Sequence, residues 1–292
     1  MLDAEITRAN PNLVVAYWGT LPLGEIAALR SRHPGIKIAL VMLCYPLGLS
    51  DWEVARQHLA LRRAARSIDA LVCPTIEMVE YLRRNVLGEG APPCHVIEPC
   101  WPESFLAQTR PSAAMDAPNL VFIGRTDLRS KNIQKSDDVR HAMQGIIGAG
   151  IHLYHAASGS SYPPHSYRHE FATMDIRSLI SHIASYDASV LIYNLAVCRR
   201  TERFDLTVPD RLISSVAAGV PIAVPAKGYS ASKSYLRAYG ALLEFSDWGD
   251  LSRKLSDRAR VASAKEMAWQ NRSHYTAEAR GKDYQALVSA LQ

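Results

Sequence analysis

The chain has 292 residues, of which 48% are hydrophobic and 21% charged; this is a globular composition, sufficient for one large core or two modest ones. The net charge of +5 lies wholly after residue 112, because the first 112 residues carry equal numbers of basic and acidic side chains. Five cysteines without a CxxC motif argue against a disulfide framework or a thiolate zinc site, and no apolar run is long enough to span a membrane.

Short apolar runs alternate with helical patterns in the first part of the chain. The predicted strands are residues 13–18, 36–43, 70–74 and 95–97, and the predicted helices are residues 23–32, 51–67 and 77–86. The strand runs are continuously apolar rather than alternating, which is typical of strands buried on both faces of a parallel sheet. Strands that alternate with helices predict a doubly wound α/β layer.

A proline-containing stretch, residues 101–118, predicts a linker, after which the alternation restarts. The second set of predicted strands is 119–123, 151–155, 188–193, 221–224 and 241–245; the predicted helices are 137–147, 176–185, 209–218 and 232–239. Residues 158–168 and 198–206 are predicted to be polar loops, and the tail from residue 250 is predicted to be helical throughout. We therefore expect two Rossmann-like α/β domains, 1–112 and 113–270, and a helix at 271–292 that packs back on the first domain.

Ligands in such folds bind at the carboxyl ends of the strands. The first such junction is FIGRTDLRSKN, residues 122–132, where a strand meets Gly124, Arg125, Arg129 and Lys131. Glycine allows a ligand to approach the backbone, and the cations can bind phosphate oxygens and stabilise a leaving diphosphate. A solvated basic turn is the alternative interpretation.

The second junction is the helix start in TVPDRLISSVAAGVPIAVP, residues 207–225. Asp210, Arg211, Ser214 and Ser215 lie in its first turns, where unpaired N–H groups and the helix dipole favour a phosphate. Simple helix–strand packing explains the AAG turn at 217–219 but not this polar cluster.

Three further residues stand at strand ends. Tyr193 and Asn194 follow the strand that begins after Asp187, and His155 ends another strand. We treat all three as candidate ligands of the cleft, although a capping Asp187 and a loop asparagine fit equally well. His165 and His169 are four residues apart, but the stretch lacks HExxH, so no metal site is expected.

The first two junctions resemble the carboxyl-terminal domain of retaining GT-B glycosyltransferases of the family-4 kind. An apolar strand is followed by Gly124, Arg125 and, after a short interval, Lys131. The family's later block is matched by Pro209, Arg211, Leu212, Ala217, Ala218, Gly219 and Pro221, with arginine in place of lysine. The resemblance covers residues 119–290 and extends more weakly to residues 10–100.

The resemblance implies a GT-B fold whose amino-terminal, acceptor-side domain is shortened, since only twelve residues precede the first strand. It implies that Arg125 and Lys131 hold the donor diphosphate and act in catalysis, with retention at the anomeric carbon. Ser214 stands where the family has a glutamate that holds the donor ribose. The weakly matched Asp205 is the candidate for an upstream acid, and Tyr45 is nearest to the family's acceptor-side histidine.

The expected donor site, by residues and resemblance together, consists of Gly124, Arg125, Lys131, His155, Tyr193, Asn194, Arg211, Ser214 and Ser215. The expected function is transfer of a sugar from a nucleoside-diphosphate sugar to a glycan, a lipid-linked acceptor or a small molecule. Because side chains supply the cations, no cofactor or metal is expected. Nucleic acid is not expected as a partner. The alternatives are a non-catalytic pseudo-glycosyltransferase, one subunit of a split transferase, and an epimerase-like enzyme.

Two features bear on location and partners. The start MLDAEITRANPN lacks the pattern of a secretory signal, which predicts a cytoplasmic protein. The helix at 51–67 carries a basic face formed by Arg56, Arg62, Arg63 and Arg66. A solvated face is the simpler interpretation, and contact with anionic lipid or a lipid-linked acceptor is the alternative. Association into homo- or hetero-oligomers stays open.

Overall fold

The computed structural model describes residues 2–17, 19–48, 50–109, 117–126, 134–157 and 163–292. The chain divides into two compact units. The first contains the residues up to Pro99 together with Arg199–Val208 and Arg280–Gln292, and the second contains Cys100–Cys198 and Pro209–Ala279. The chain therefore passes between the units four times. The predicted domain boundary at residues 112/113 lies outside the described residues.

Within the described ranges the chain forms ten strands and twelve α-helices. The strands are β1 Leu13–Tyr17, β2 Lys37–Val41, β3 Ala70–Cys73, β4 Cys94–Val96, β5 Asn119–Phe122, β6 His152–Ala156, β7 Arg168–Phe171, β8 Ala188–Val190, β9 Ile222–Pro225 and β10 Leu242–Phe245. The helices are α1 Leu2–Ala9, α2 Leu23–Arg32, α3 Asp51–Ala64, α4 Ile76–Leu82, α5 Arg140–Gly148, α6 Ile176–Ile183, α7 Glu202–Leu206, α8 Asp210–Ala218, α9 Ser230–Tyr235, α10 Trp248–Ser256, α11 Arg258–Asn271 and α12 Gly281–Leu291.

The sheet of the first unit has four parallel strands in the order β1-β2-β3-β4. Successive β2 residues Ile38, Ala39 and Leu40 are fully buried, although neighbouring strand residues point to opposite faces. One face packs against helices α1 to α4, and the other packs against Leu287 and Leu291 of α12. Burial on both faces explains the continuously apolar strands, and the parallel sheet confirms that prediction.

The sheet of the second unit has six parallel strands in the order β10-β9-β8-β5-β6-β7. The chain therefore starts at the centre of this sheet with β5, extends to β7 on one side, returns to β8 beside β5, and extends to β10 on the other side. This is the doubly wound Rossmann order, and it confirms the predicted fold class. One face of the sheet is covered by apolar residues of α5, α10 and α11, including Met143, Leu251 and Val261.

Three local predictions were wrong. Strand β7 was not predicted; it begins at the last residue of the predicted loop 158–168. Its sequence, Arg-His-Glu-Phe, lacks an apolar run because it is an edge strand that pairs only with β6 among the described residues. The predicted loop 198–206 contains α7, whose Leu206 joins the core of the first unit. The carboxyl-terminal tail is interrupted between α11 and α12. No helix among the described residues has both the length and the apolar character needed to cross a membrane.

Candidate functional site

The strand order of the second unit marks one place for a ligand. Strands β5 and β8 are neighbours, and the chain winds away from them in opposite directions. In open α/β sheets, ligands bind outside the carboxyl ends of the strands at such a switch point. Here β5 leads to Gly124 and Arg125, and β8 leads to Tyr193 and Asn194. Two of the predicted junctions therefore meet at one edge of the sheet.

The side chain of Arg211, in the first turn of α8, reaches this switch point. Its guanidinium carbon lies 4.4 Å from the ring centre of Tyr193 and 5.3 Å from that of Phe122, distances typical of cation–π contact. Nη1 lies 3.4 Å from the carbonyl oxygen of Ile192, and Nη2 lies 3.9 Å from a carboxylate oxygen of Asp137. The side chain is 15% exposed, so a mostly buried cation is held in one place between two strand ends.

Gly124 is required by this packing. A Cβ atom at this position would lie 2.5 Å from the Phe122 ring and 3.0 Å from Nη1 of Arg211. Even alanine would therefore force the ring, and with it the guanidinium, to move. The glycine predicted to let a ligand approach the backbone also leaves the space in which Phe122 and Arg211 pack.

Tyr193 and Asn194 are held by their backbone groups. The N–H of Tyr193 donates to the hydroxyl of Tyr229 (3.0 Å), and the N–H of Asn194 donates to the carbonyl of Ser136 (2.8 Å). Tyr229 has a φ of 63°, which is uncommon for a non-glycine residue. Fixed backbone and a stacked Tyr193–Tyr229 pair give this loop a defined geometry.

A cavity of about 320 Å³ lies next to these residues in the second unit. It is lined by Asn194 and by residues at the start of α5: Asp138, Arg140, His141 and Gln144. Arg140 donates to both carboxylate oxygens of Asp138, at 2.8 and 2.6 Å, and this hydrogen bonding lowers the pKa of Asp138. The cavity therefore has an ionised, polar wall.

The other predicted residues of the first junction are placed as follows. Arg125 is exposed and lies three residues after Phe122, the buried last residue of β5. The hydroxyl of Thr126 donates to the carbonyl of Ala156 at 2.9 Å, which ties the loop after β5 to the end of β6. Lys131 lies outside the described residues.

Ser214 and Ser215 are buried, and their hydroxyl groups bond to protein partners. Ser214 Oγ donates to the carbonyl of Asp210 (2.9 Å) and accepts from the indole N–H of Trp101 (3.2 Å). Ser215 Oγ lies 2.8 Å from the carbonyl of Arg211 and 2.7 Å from the hydroxyl of Ser189 in β8. In this structure both serines fasten α8 to its surroundings and are not brought to the Arg211 guanidinium.

His155 is fully buried in β6, and its Nδ1 lies 2.8 Å from the carbonyl of Ala156. Burial lowers the pKa of His155, which favours the neutral imidazole. His155 is therefore buried inside the sheet, whereas a side chain that binds a ligand in the cleft has to face solvent. Across the described residues, no group of three or more His, Cys, Asp or Glu side chains is arranged to hold a metal.

Sequence reasoning missed Asp137, Trp101 and Tyr229. The polar run KSDD, residues 135–138, follows the first junction and was the only signal for Asp137. Trp101 and Tyr229 are distant in sequence from the residues they contact, and no local pattern marks them. Their roles depend on contacts that form only in the folded unit.

No protein-family model matches the chain, and no curated protein matches it. Solved structures do. A sucrose-phosphate synthase from Thermosynechococcus elongatus is similar with a TM-score of 0.70 and 16% identity, over 99% of this chain and 77% of that one. An α,α-trehalose-phosphate synthase (UDP-forming) from Burkholderia xenovorans, in complex with glucose-6-phosphate, is similar with a TM-score of 0.68 and 7% identity, over 99% of this chain and 76% of that one.

A third similar structure is that of a GtfA/B complex, with a TM-score of 0.61 and 11% identity. It is matched over 91% of this chain, which spans only 55% of that chain's length. At these identities the likeness concerns the fold. Two Rossmann-like parallel sheets and these neighbours together show that the chain has the GT-B fold.

Proposed function

We propose that the chain is a glycosyltransferase that takes its sugar from a nucleoside-diphosphate sugar, and that the second unit binds this donor at the carboxyl ends of β5 and β8. The observation that carries the proposal is the Arg211 guanidinium, held at the switch point of a doubly wound sheet beside Gly124 and Tyr193. A fixed, mostly buried cation at this place is suited to an anionic ligand.

The diphosphate is the part of the donor that these cations would bind. Arg211 is preorganised by two rings and Asp137, and Arg125 is exposed to solvent at the end of β5. During transfer, the bond from the anomeric carbon to the diphosphate oxygen breaks and its electron pair stays with the diphosphate. The acceptor hydroxyl oxygen forms the new bond and passes its proton to the departing diphosphate oxygen. Fixed cations stabilise the charge that develops on the leaving group. Lys131 remains part of this proposal on sequence grounds.

The remainder of the donor would lie along the loop after β8. Tyr193 offers a ring face, and Asn194 offers an amide at the edge of the 320 Å³ cavity. We assign binding to Gly124, Arg125, Arg211, Tyr193 and Asn194. The inward-facing His155, Ser214 and Ser215 have structural contacts that suit a supporting role.

The acceptor is proposed by analogy. One similar structure contains glucose-6-phosphate and is named UDP-forming, so UDP and sugar phosphates are the first candidates to test. Glycans and lipid-linked acceptors stay as further candidates. We also propose that transfer needs no metal, because arginine side chains supply positive charge at the leaving group; activity that survives EDTA would support this.

A second candidate function is a non-catalytic pseudo-glycosyltransferase or one subunit of a split enzyme. The observation that favours it is the Trp101–Ser214 hydrogen bond. Ser214 stands where the similar family has its ribose-binding glutamate, and here the hydroxyl already bonds to an indole. A partner chain would then complete the enzyme; one similar structure is itself that of a complex.

The test is thermal unfolding of the purified chain with UDP, GDP, ADP, TDP or CMP. A ligand at 100 times its dissociation constant adds about 2.7 kcal/mol to the free energy of unfolding. We expect one nucleoside diphosphate to stabilise the chain, and Arg211→Ala to abolish the effect. Arg237→Ala, at an exposed position of the same unit, is the matched control.

Each outcome separates the candidates. The enzyme candidate is supported if nucleotide-induced stabilisation is lost in Arg211→Ala but not in Arg237→Ala, and if the wild-type chain transfers sugar to an added acceptor. Stabilisation without transfer or donor hydrolysis supports the non-catalytic or split candidate. Equal stabilisation of wild type and Arg211→Ala would contradict the proposed site, and no stabilisation by any nucleotide would contradict donor binding by this chain alone.

A further inference from the structure

One exposed stripe of the first unit has no role in the site described above. Helix α3 begins with a capping box between Ser50 and Glu53 and buries Val54 and Leu61 in the core. Its opposite side carries five residues spaced alternately four and three positions apart, the spacing that aligns side chains on one helix face. This α3 stripe consists of Trp52, Arg56, Leu59, Arg63 and, just past the helix end, Arg66.

The two apolar members of the stripe project into solvent. Trp52 is 74% exposed and Leu59 is 46% exposed. The three arginines between and beyond them are also exposed. Tryptophan is a large apolar residue, and here it is aligned on one helix face with a second exposed apolar side chain, which distinguishes the stripe from singly scattered surface residues.

The positive charge of the stripe is not neutralised by its surroundings. Among the described residues, no hydrogen bond or ion pair engages the side chains of Arg56, Arg63 or Arg66. The acids at the start of the helix point elsewhere: Asp51 pairs with Arg199 and Arg200 at 2.8 and 3.0 Å. The stripe therefore presents three unpaired cations interleaved with two apolar side chains over roughly 21 Å of helix.

This combination fits an anionic lipid surface. Tryptophan rings favour the headgroup region of a bilayer, and arginines along the same line pair with anionic headgroups. A helix lying in the interface plane inserts a few apolar side chains and keeps its core-facing side in the protein. Insertion of Trp52 into a bilayer needs no complementary pocket, whereas hot spots of protein interfaces sit in desolvated pockets.

We propose that the α3 stripe docks the first unit on an anionic membrane surface, with Trp52 and Leu59 inserted between headgroups and Arg56, Arg63 and Arg66 paired with them. The proposal does not depend on the donor site, because the stripe belongs to the first unit and its test has no enzymatic readout.

The test is co-sedimentation of the whole chain with vesicles of phosphatidylcholine alone or of phosphatidylcholine mixed with phosphatidylglycerol. We expect binding to the anionic vesicles only, and loss of that binding at about 1 M NaCl, where the Debye length falls to about 3 Å. Each arginine near the surface contributes about fivefold to partitioning, so Arg56→Gln, Arg63→Gln and Arg66→Gln combined should weaken it roughly a hundredfold. Trp52→Ser should weaken it about tenfold.

The matched control replaces three exposed arginines of the second unit, Arg237→Gln, Arg253→Gln and Arg260→Gln, for the same change in net charge. It should leave vesicle binding within about twofold. Brominated lipid should quench tryptophan fluorescence in wild type more than in Trp52→Phe, which places Trp52 in the interface. Circular dichroism and thermal unfolding of each variant exclude misfolding as the cause.

Three results would overturn the proposal. They are equal binding to neutral and anionic vesicles, equal weakening by the control, and no vesicle binding at all. Binding of polyglutamate through the same arginines without vesicle binding would identify an acidic protein surface as the partner instead.

Discussion

Two arginines of the second unit, Arg258 and Arg211, differ from Arg56 and Arg63 of the first unit in what surrounds them. In the second unit, Arg258 donates to both oxygens of the buried Asp187 carboxylate at 2.9 and 3.0 Å, and Arg211 is enclosed by two rings and Asp137. In the first unit, Arg56 and Arg63 project from α3 into solvent. An arginine with buried partners is tied to the fold or to a fixed site, whereas an exposed one is free to serve an external surface. Mutations should therefore have graded effects on stability.

The strongest effect on stability is expected at Arg258. Asp187 is 1% exposed, and Arg258→Ala would leave its carboxylate buried without the guanidinium that bonds to both of its oxygens. Loss of one partner of a buried pair costs about 3 kcal/mol of unfolding free energy. Urea denaturation measures it, with Arg237→Ala as the exposed control. A loss under about 1 kcal/mol would show that the hydrogen bonds from Asn119 to Asp187 suffice to stabilise the buried carboxylate.

Gly124→Ala is expected to act next. The added Cβ would press on the Phe122 ring and the Arg211 guanidinium, and such overpacking costs about 1–3 kcal/mol. We expect lower stability together with weaker nucleotide-induced stabilisation. Gly148→Ala is the matched control, because a Cβ there meets nothing within 4 Å. Unchanged nucleotide binding in Gly124→Ala would show that this glycine is not part of the donor site.

Stability should also fall at acid pH. Burial lowers the pKa of His155, so the folded protein keeps the imidazole neutral, while the unfolded chain protonates it below about pH 6.5. The stabilisation is therefore present above pH 6.5 and is lost as the pH falls below it, by up to about 1.4 kcal/mol per pH unit for this group. Denaturation from pH 7.5 to 5 measures the slope. His155→Gln should flatten it and His274→Gln, at an exposed position, should not; equal slopes in all three proteins would contradict the assignment.

The smallest stability change is expected on α3. Each of Arg56→Gln, Arg63→Gln and Arg66→Gln should alter the free energy of unfolding by less than about 0.5 kcal/mol, because exposed side chains without partners contribute little. Thermal unfolding without lipid measures this. A combined loss above about 2 kcal/mol would assign these arginines a structural role and remove the contrast with Arg258.

Much of the fold could be predicted from local patterns. All nine predicted strands overlap observed ones within a residue or two at each end, except that the prediction at 188–193 runs three residues beyond the end of β8. Strand β7 was missed because its polar sequence is permitted only by its place at the sheet edge. Gly124, Arg211 and Tyr193 could be singled out because each follows a strand or begins a helix, and chain order alone places such residues at strand ends.

The sequence therefore established the strand runs, the parallel character of both sheets and the polar junctions, because these follow from local periodicity and burial on two faces. Folding in three dimensions established the rest. It placed Arg211 between the rings of Phe122 and Tyr193, brought Trp101 to Ser214, and assigned residues 199–208 to the first unit. These contacts join residues far apart along the chain, and no local pattern records which distant side chain will fill the space beside a given one.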